Sequence, residues 1–208
     1  VLPVHAEILN IPMTYMYTGG STPSGDQPWV DVWLEDTTQA GTVAIRIDLK
    51  NLVDGEFLTD LHLSLRPGFS ATNLLLSIVD RQGDFLDPQV DLGEDKYKAG
   101  GGNYYDILLE FAAKQADRFG ADESITFLVS GPADLTARAF DTPPSQGKGK
   151  YDPDAPMYVA AAHVQGTGED GEDSAWITNP GGVITVIPEP ATMSLLAIGG
   201  VALIKRRR

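Results

Sequence analysis

The sequence contains no cysteine among its 208 residues. Disulfide bonds, thiolate metal sites and cysteine nucleophiles are therefore excluded. Histidine occurs only three times, and the sequence contains no G-x-S-x-G nucleophile elbow, H-E-x-x-H motif, phosphate-binding loop or dinucleotide fingerprint. The lack of catalytic motifs favours a non-enzymatic protein, and a chain without disulfides depends on its hydrophobic core for stability.

Basic residues are also scarce before residue 188. The chain has 29 acidic and 15 basic residues; when Glu189 and the four cations at 205–208 are set aside, 28 and 11 remain, a net charge of −17 for residues 1–187. A polyanion repels phosphate backbones, so nucleic acid is excluded as a partner. The acidity suits a soluble extracellular domain, and about 180 residues are enough to bury one hydrophobic core.

Alternation of apolar and polar residues is the dominant pattern before residue 188. It is clearest at residues 43–49, where Val43, Ile45, Ile47 and Leu49 would face a core. Further strands are predicted at 30–34, 61–65, 74–79, 105–111, 125–129, 135–140, 158–164 and 182–187. Residues 112–119 fit either two helical turns or a connecting loop. We therefore predict an all-β domain over residues 7–187, an antiparallel β-sandwich of jelly-roll type, followed by a short hydrophobic helix.

Residues 188–208 form a segment with three distinct parts. Pro188, Glu189 and Pro190 open the stretch 188–192, which cannot continue a helix or a sheet ladder and so stays accessible to a processing enzyme. The apolar run 193–204 has twelve residues, or about 18 Å as a helix, against about 20 residues for an ordinary bilayer span. We expect a short or transient membrane anchor. A basic tail follows, and its cations would be retained on the cytoplasmic side: Lys205, Arg206, Arg207 and Arg208.

This three-part segment resembles the sorting signal of bacterial PEP-CTERM proteins, with the motif intact at Pro188, Glu189 and Pro190. The resemblance implies export, transient anchoring in the bacterial inner membrane, recognition by an exosortase-type processing enzyme, and release or attachment at the cell surface. Residues 160–166 and 174–177, with the acidic loop between them, also resemble a recurrent ectodomain of these proteins. That second likeness implies architecture and export without naming a ligand.

Residues 1–6 resemble the end of a secretory signal peptide. Val4 and Ala6 have the spacing of a signal-peptidase site, so the mature chain is expected to begin at Glu7. The alternative is an ordinary short apolar strand.

Two histidines and three tryptophans are the candidate ligand contacts. His62 lies on the polar face of its predicted strand, so we expect it to be solvated. His163 interrupts the apolar stretch 158–164 and should be hydrogen-bonded, which favours a structural histidine over a catalytic one. Trp176 and His163 are the predicted ligand residues. If exposed, the tryptophans would supply a sugar-stacking platform, and the alternative is packing in the core: Trp29, Trp33 and Trp176.

Acidic loops offer a possible cation site. Four carboxylates surround Gly171, and hard oxygen ligands of this kind suit Ca²⁺: Glu169, Asp170, Glu172 and Asp173. Asp152 and Asp154 add a second, smaller cluster. Neither matches a defined calcium loop, so a solvated acidic turn is the alternative. No other cofactor is predicted.

Three function classes remain open from the sequence. The first is an exported, surface-sorted, non-enzymatic protein of the envelope or extracellular polymer matrix. The second is a polysaccharide-binding module, with Ca²⁺ dependence as a variant of that hypothesis. The third is a secreted glycoside hydrolase, which would need two carboxylates about 5 to 10 Å apart across a cleft.

Overall fold

The computed structural model describes residues 7–146, 158–179 and 185–187. Within these ranges the chain forms two antiparallel β-sheets around a shared core. Sheet A contains β1 (Ile8–Met13), β3 (Val30–Asp36), β4 (Thr42–Asp48), β6 (Leu75–Gln82), β10 (Ser124–Ser130) and β14 (Thr185–Ile187). Sheet B contains β2 (Tyr15–Gly19), β5 (Phe57–Leu63), β7 (Gln89–Lys98), β8 (Asn103–Glu110), β9 (Phe119–Gly120), β11 (Ser145–Gln146), β12 (Ala160–Thr167) and β13 (Asp173–Thr178).

The strand order shows how often the chain crosses between the layers. Sheet A runs β14-β1-β3-β4-β10-β6, and sheet B runs β11-β8-β5-β12-β13-β2, with β7 on β8 and β9 on β5. The chain changes sheet at most of its connections, for example from β4 to β5 and from β5 to β6. The predicted all-β class and antiparallel sandwich are confirmed. The predicted hydrophobic helix at 193–204 lies outside the described residues.

The hydrophobic core lies between the sheets and follows the alternation of each strand. In β4, Val43, Ile45 and Ile47 are no more than 1% exposed, whereas Ala44 and Arg46 point away from the core. Side chains from both sheets join one cluster, and each fully buried aliphatic or aromatic residue contributes about 1.5 to 3 kcal/mol. The outer face of each sheet is left to carry polar and aromatic groups.

The predicted strand at 135–140 is wrong. Residues Ala137–Phe140 form a 3₁₀ helix, although Leu135, Ala137, Ala139 and Phe140 are all buried as the alternation suggested. The Asp36 carboxylate accepts a hydrogen bond from the Ala137 amide at 2.6 Å, which anchors the start of this helix to sheet A. The alternation predicted the buried residues correctly, but a short 3₁₀ helix rather than a strand buries them.

Residues 112–119 form mainly a connection. A 3₁₀ helix, Gln115–Asp117, lies inside it, and Phe119 enters the two-residue strand β9. No helix within the described ranges is long and apolar enough to cross a membrane.

Candidate functional site on the outer face of sheet A

The outer face of sheet A carries a groove that runs across its strands. The pairing registers align four side chains into one row: Asn10 on β1, Trp33 on β3, Arg46 on β4 and Thr126 on β10. Because side chains two residues apart share a face, neighbouring positions on the same strands complete the walls. The groove has a volume of about 440 Å³ and is lined by Ile8, Trp33, Glu35, Ala44, Arg46, Asp48, Lys50 and Thr126.

A buried carboxylate organises the charges of this groove. The side chain of Asp48 is 5% exposed, and its Oδ2 atom lies 2.9 Å from Arg46 Nη2 and 3.1 Å from Lys50 Nζ. Both cations nevertheless remain largely in solvent, with side chains 48% and 69% exposed. Asp31 lies opposite Asp48, and burial raises its pKa. A hydrogen bond from the Asn10 amide to Asp31, 3.0 Å long, opposes this upward shift. The groove therefore presents the exposed cationic groups of Arg46 and Lys50 beside the buried Asp48 carboxylate.

Trp33 is the aromatic wall of the groove. Its side chain is partly exposed, and within the described part of the chain its indole N–H has no hydrogen-bond partner. An indole face beside Arg46, Lys50 and Glu35 offers one flat apolar surface and several hydrogen-bonding groups. This combination suits a ligand with an apolar face and a ring of hydroxyl groups.

The three tryptophans do not form one sugar-stacking platform. Trp29 is 4% exposed within the core, where its Nε1 donates to the Gly25 carbonyl at 2.9 Å. Trp33 lies on the outer face of sheet A, and Trp176 belongs to β13 of sheet B. The three indoles occupy three separate places, so only Trp33 lines the sheet A groove.

His163 and Trp176 lie opposite one another on β12 and β13 of sheet B. Their rings stack with centroids 4.6 Å apart and an interplanar angle of 6°. His163 Nδ1 lies 3.1 Å from Asp60 Oδ2 and 3.1 Å from Thr59 Oγ1, both on β5. The expected hydrogen bonding of His163 is confirmed, with partners on a neighbouring strand.

This arrangement is not that of a catalytic relay. In such a relay the carboxylate and the nucleophile contact opposite ring nitrogens of the histidine. Here Asp60 and Thr59 both contact Nδ1 of His163. Gly100 also packs directly against Trp176, because a Cβ atom at Gly100 would come within 2.6 Å of Trp176 Cγ. The ligand role of His163 and Trp176 stays a prediction that their packing does not support.

His62 is buried, so its expected solvation is wrong. The side chain is 3% exposed and lies between two aromatic rings, Tyr105 at 5.5 Å and Trp176 at 5.4 Å between centroids. A second apolar cluster covers this part of the outer face of sheet B: Ala99, Tyr105, Ala161, Tyr17 and Trp176. Burial lowers the pKa of His62 to about 4; the Asp60 charge opposes this shift, and His163 adds to it. Within the described residues, His62 Nδ1 has no hydrogen-bond partner.

The predicted calcium loop does not gather its ligands. Glu169, Asp170, Glu172 and Asp173 are all exposed, and Asp173 Oδ2 accepts a hydrogen bond from Ser21 Oγ at 2.6 Å. Across the part of the chain that the structure describes, no three histidine or carboxylate side chains come together to hold a metal ion. Asp152 and Asp154 lie outside the described residues. The geometry supports the solvated acidic turn and gives no support to the Ca²⁺ hypothesis.

The sorting segment was compared with known families. The PEP-CTERM protein-sorting motif matches residues 186–208, so the match begins inside β14 and includes Pro188, Glu189, Pro190 and the basic tail. From Pro188 onward these residues lie outside the described ranges. No curated protein and no solved structure matches the chain. The chain thus carries a PEP-CTERM protein-sorting motif at residues 186–208, and this motif indicates an exported protein targeted to an exosortase, which is a membrane enzyme.

Proposed function

We propose that this exported protein is a non-enzymatic component of the bacterial surface or extracellular polymer matrix, and that it holds polysaccharide in the groove of sheet A. The observation that carries the proposal is Trp33, a partly exposed indole beside the Arg46, Asp48 and Lys50 group. The sorting motif of the protein would deliver the domain to the compartment in which such polymers occur.

Polysaccharide fits the chemistry of the groove better than a peptide or a small metabolite does. A pyranose ring packs its C–H face on an indole, and its hydroxyl groups pair with charged and polar side chains. The groove lies across four strands of the outer face, so we expect a chain of sugars to continue along that face. Because residues 1–187 carry a net charge of −17, we expect a polymer of low negative charge density.

A binding role also agrees with the state of the groove carboxylates. A glycosidase needs one carboxyl group as an acid and a second as a base or nucleophile, positioned across the scissile bond. In this groove Asp48 is buried against two cations, Arg46 and Lys50, and Glu35 is exposed. With Asp48 held in two ion pairs, the groove does not present two free carboxyl groups facing one another. We therefore assign the groove to binding.

Trp33→Ala should weaken polysaccharide binding about ten-fold, which corresponds to about 1.4 kcal/mol, because it removes the stacking face of the groove. The measurement is affinity electrophoresis in gels that contain the exopolysaccharide of the native host. Tyr15→Ala is the matched control, since Tyr15 is an exposed aromatic residue, 48% accessible, on β2 of the other sheet.

An equal loss in both variants, or no retardation of the wild-type protein, would contradict the proposed site. Release of reducing sugar by the wild-type protein in the same gels would instead favour the hydrolase. Unchanged circular dichroism of Trp33→Ala shows that the loss of binding is local.

A further inference from the structure

The chain enters and leaves sheet A at the same end. β1 begins at Ile8, β14 ends at Ile187, and these two residues are antiparallel partners. The sorting motif matches from residue 186, so Pro188 follows the last paired residue directly. We call this side of the sandwich the near end and the opposite side the far end.

Side-chain contacts fix the chain at the near end. Arg138 Nε lies 2.9 Å from both carboxylate oxygens of Glu7, and Arg138 Nη1 contacts Asp141 at 2.9 Å. The Glu7 amide also donates to Asp36 at 3.4 Å. The 37–41 turn, which joins β3 to β4, lies at the same end because Ile8 pairs with Glu35. The start of β1 is therefore held to the rest of the sandwich by hydrogen bonds and an ion pair.

The link to the hydrophobic run is short. Residues 188–192 are five residues, which span at most about 18 Å when fully extended. Strand β4 alone has seven residues, or about 24 Å at about 3.4 Å per residue. A link shorter than the sandwich does not allow the domain to turn its far end toward the point of attachment.

We propose that the sandwich stands on the lipid surface with its near end toward the membrane for as long as residues 193–204 are anchored there. The orientation is set by the length of the link and not by adhesion, because Glu35 and Asp134 add exposed negative charge at the near end. In this orientation the sheet A groove opens sideways, so it is accessible before processing. The orientation does not depend on polysaccharide binding.

The absence of cysteine allows a direct test with single labels. Gln39→Cys places a label in the near-end turn, and Gln82→Cys places one at the far end of β6, where Gln82 pairs with Ser124. Both glutamines are exposed. Each full-length variant carries a donor fluorophore and is incorporated into vesicles of phosphatidylethanolamine and phosphatidylglycerol that contain an acceptor on lipid headgroups.

We expect energy transfer from position 39 to be about twofold higher than from position 82, because the strands separate the two positions by about 20 Å. A flexible insert of 20 Gly and Ser residues between Ile187 and Pro188 should bring the two efficiencies together, since such a segment spans about 25 Å on average. Equal or reversed efficiencies without the insert would overturn the proposal.

Two further outcomes also count against the orientation. A difference that persists with the insert would show that the link does not set the orientation. A chain that fails to bind the vesicles would contradict anchoring by residues 193–204. Neither result bears on polysaccharide binding by the sheet A groove, which the gel experiment measures separately.

Discussion

Replacing Pro188, Glu189 and Pro190 with alanine should leave the protein unprocessed in the inner membrane of its native host. Each proline in the motif lacks a backbone N–H and restricts the residue before it, so the sequence disfavours a helix at these positions. Alanine has the highest helix propensity, so three alanines would let a helix over residues 193–204 continue toward the sandwich and hide the cleavage region. We expect processing of this variant to fall below detection.

Intact mass of the protein from membrane, envelope and medium measures this effect. The wild-type chain should end near Glu189 and begin near Glu7, whereas the variant should retain residues 205–208. A matched control replaces Pro153, Asp154 and Pro156 with alanine, which likewise removes two prolines and one acidic residue, but outside the matched motif. Normal processing is expected for that control. Normal release of the motif variant would refute the sorting assignment.

The sequence predicted the strands whose inner and outer faces differ strongly. β4 was expected at 43–49 and forms Thr42–Asp48, because its aliphatic residues alternate with polar ones. β1 was not predicted, since Pro12 lies within it and a proline argues against a strand. β7 was missed for a different reason: it is acidic, and its pairing with β8 shifts register between Leu92 and Tyr97. Irregular pairing removes the pattern on which such predictions depend.

The candidate site depends on strand order, which a single sequence does not reveal. Arg46, Asp48 and Lys50 look like the solvated side of β4, and Trp33 is 13 residues before Arg46 in the sequence. Only the antiparallel pairing of β3 with β4 brings Trp33 directly opposite Arg46. An aromatic residue at an outward position of the preceding predicted strand was the one available signal.

His62 shows the opposite error. Its position between Leu61 and Leu63 placed it correctly on the outer face of β5, but an outer face is exposed only where nothing covers it. Here Tyr105 and Trp176 come from strands distant in sequence and enclose the imidazole. Burial of a polar side chain by such long-range contacts cannot be read from alternation alone.

Acidification from pH 7 to pH 4 should destabilise the protein by about 3 kcal/mol through His62. Burial lowers the pKa of His62 from 6.5 to about 4, so the folded state disfavours the proton that the unfolded state accepts. The stabilising contribution is complete above pH 6.5 and is lost as the pH falls toward 4. Near His62, hydrogen bonds from His163 and Thr59 outweigh burial and lower the pKa of Asp60, so any loss through Asp60 comes at still lower pH.

Urea unfolding between pH 7.5 and pH 4 at constant ionic strength measures this loss. His62→Phe keeps a ring between Tyr105 and Trp176 but carries no titrating group. Most of the loss of unfolding free energy on acidification, about 3 kcal/mol in the wild-type chain, should therefore be absent in this variant. Tyr105→Phe is the matched control, because it changes a neighbouring ring and leaves the imidazole in place. It should keep the full pH dependence. If His62→Phe loses as much stability between pH 7.5 and pH 4 as the wild-type chain does, then carboxylates rather than the buried imidazole cause the acid sensitivity.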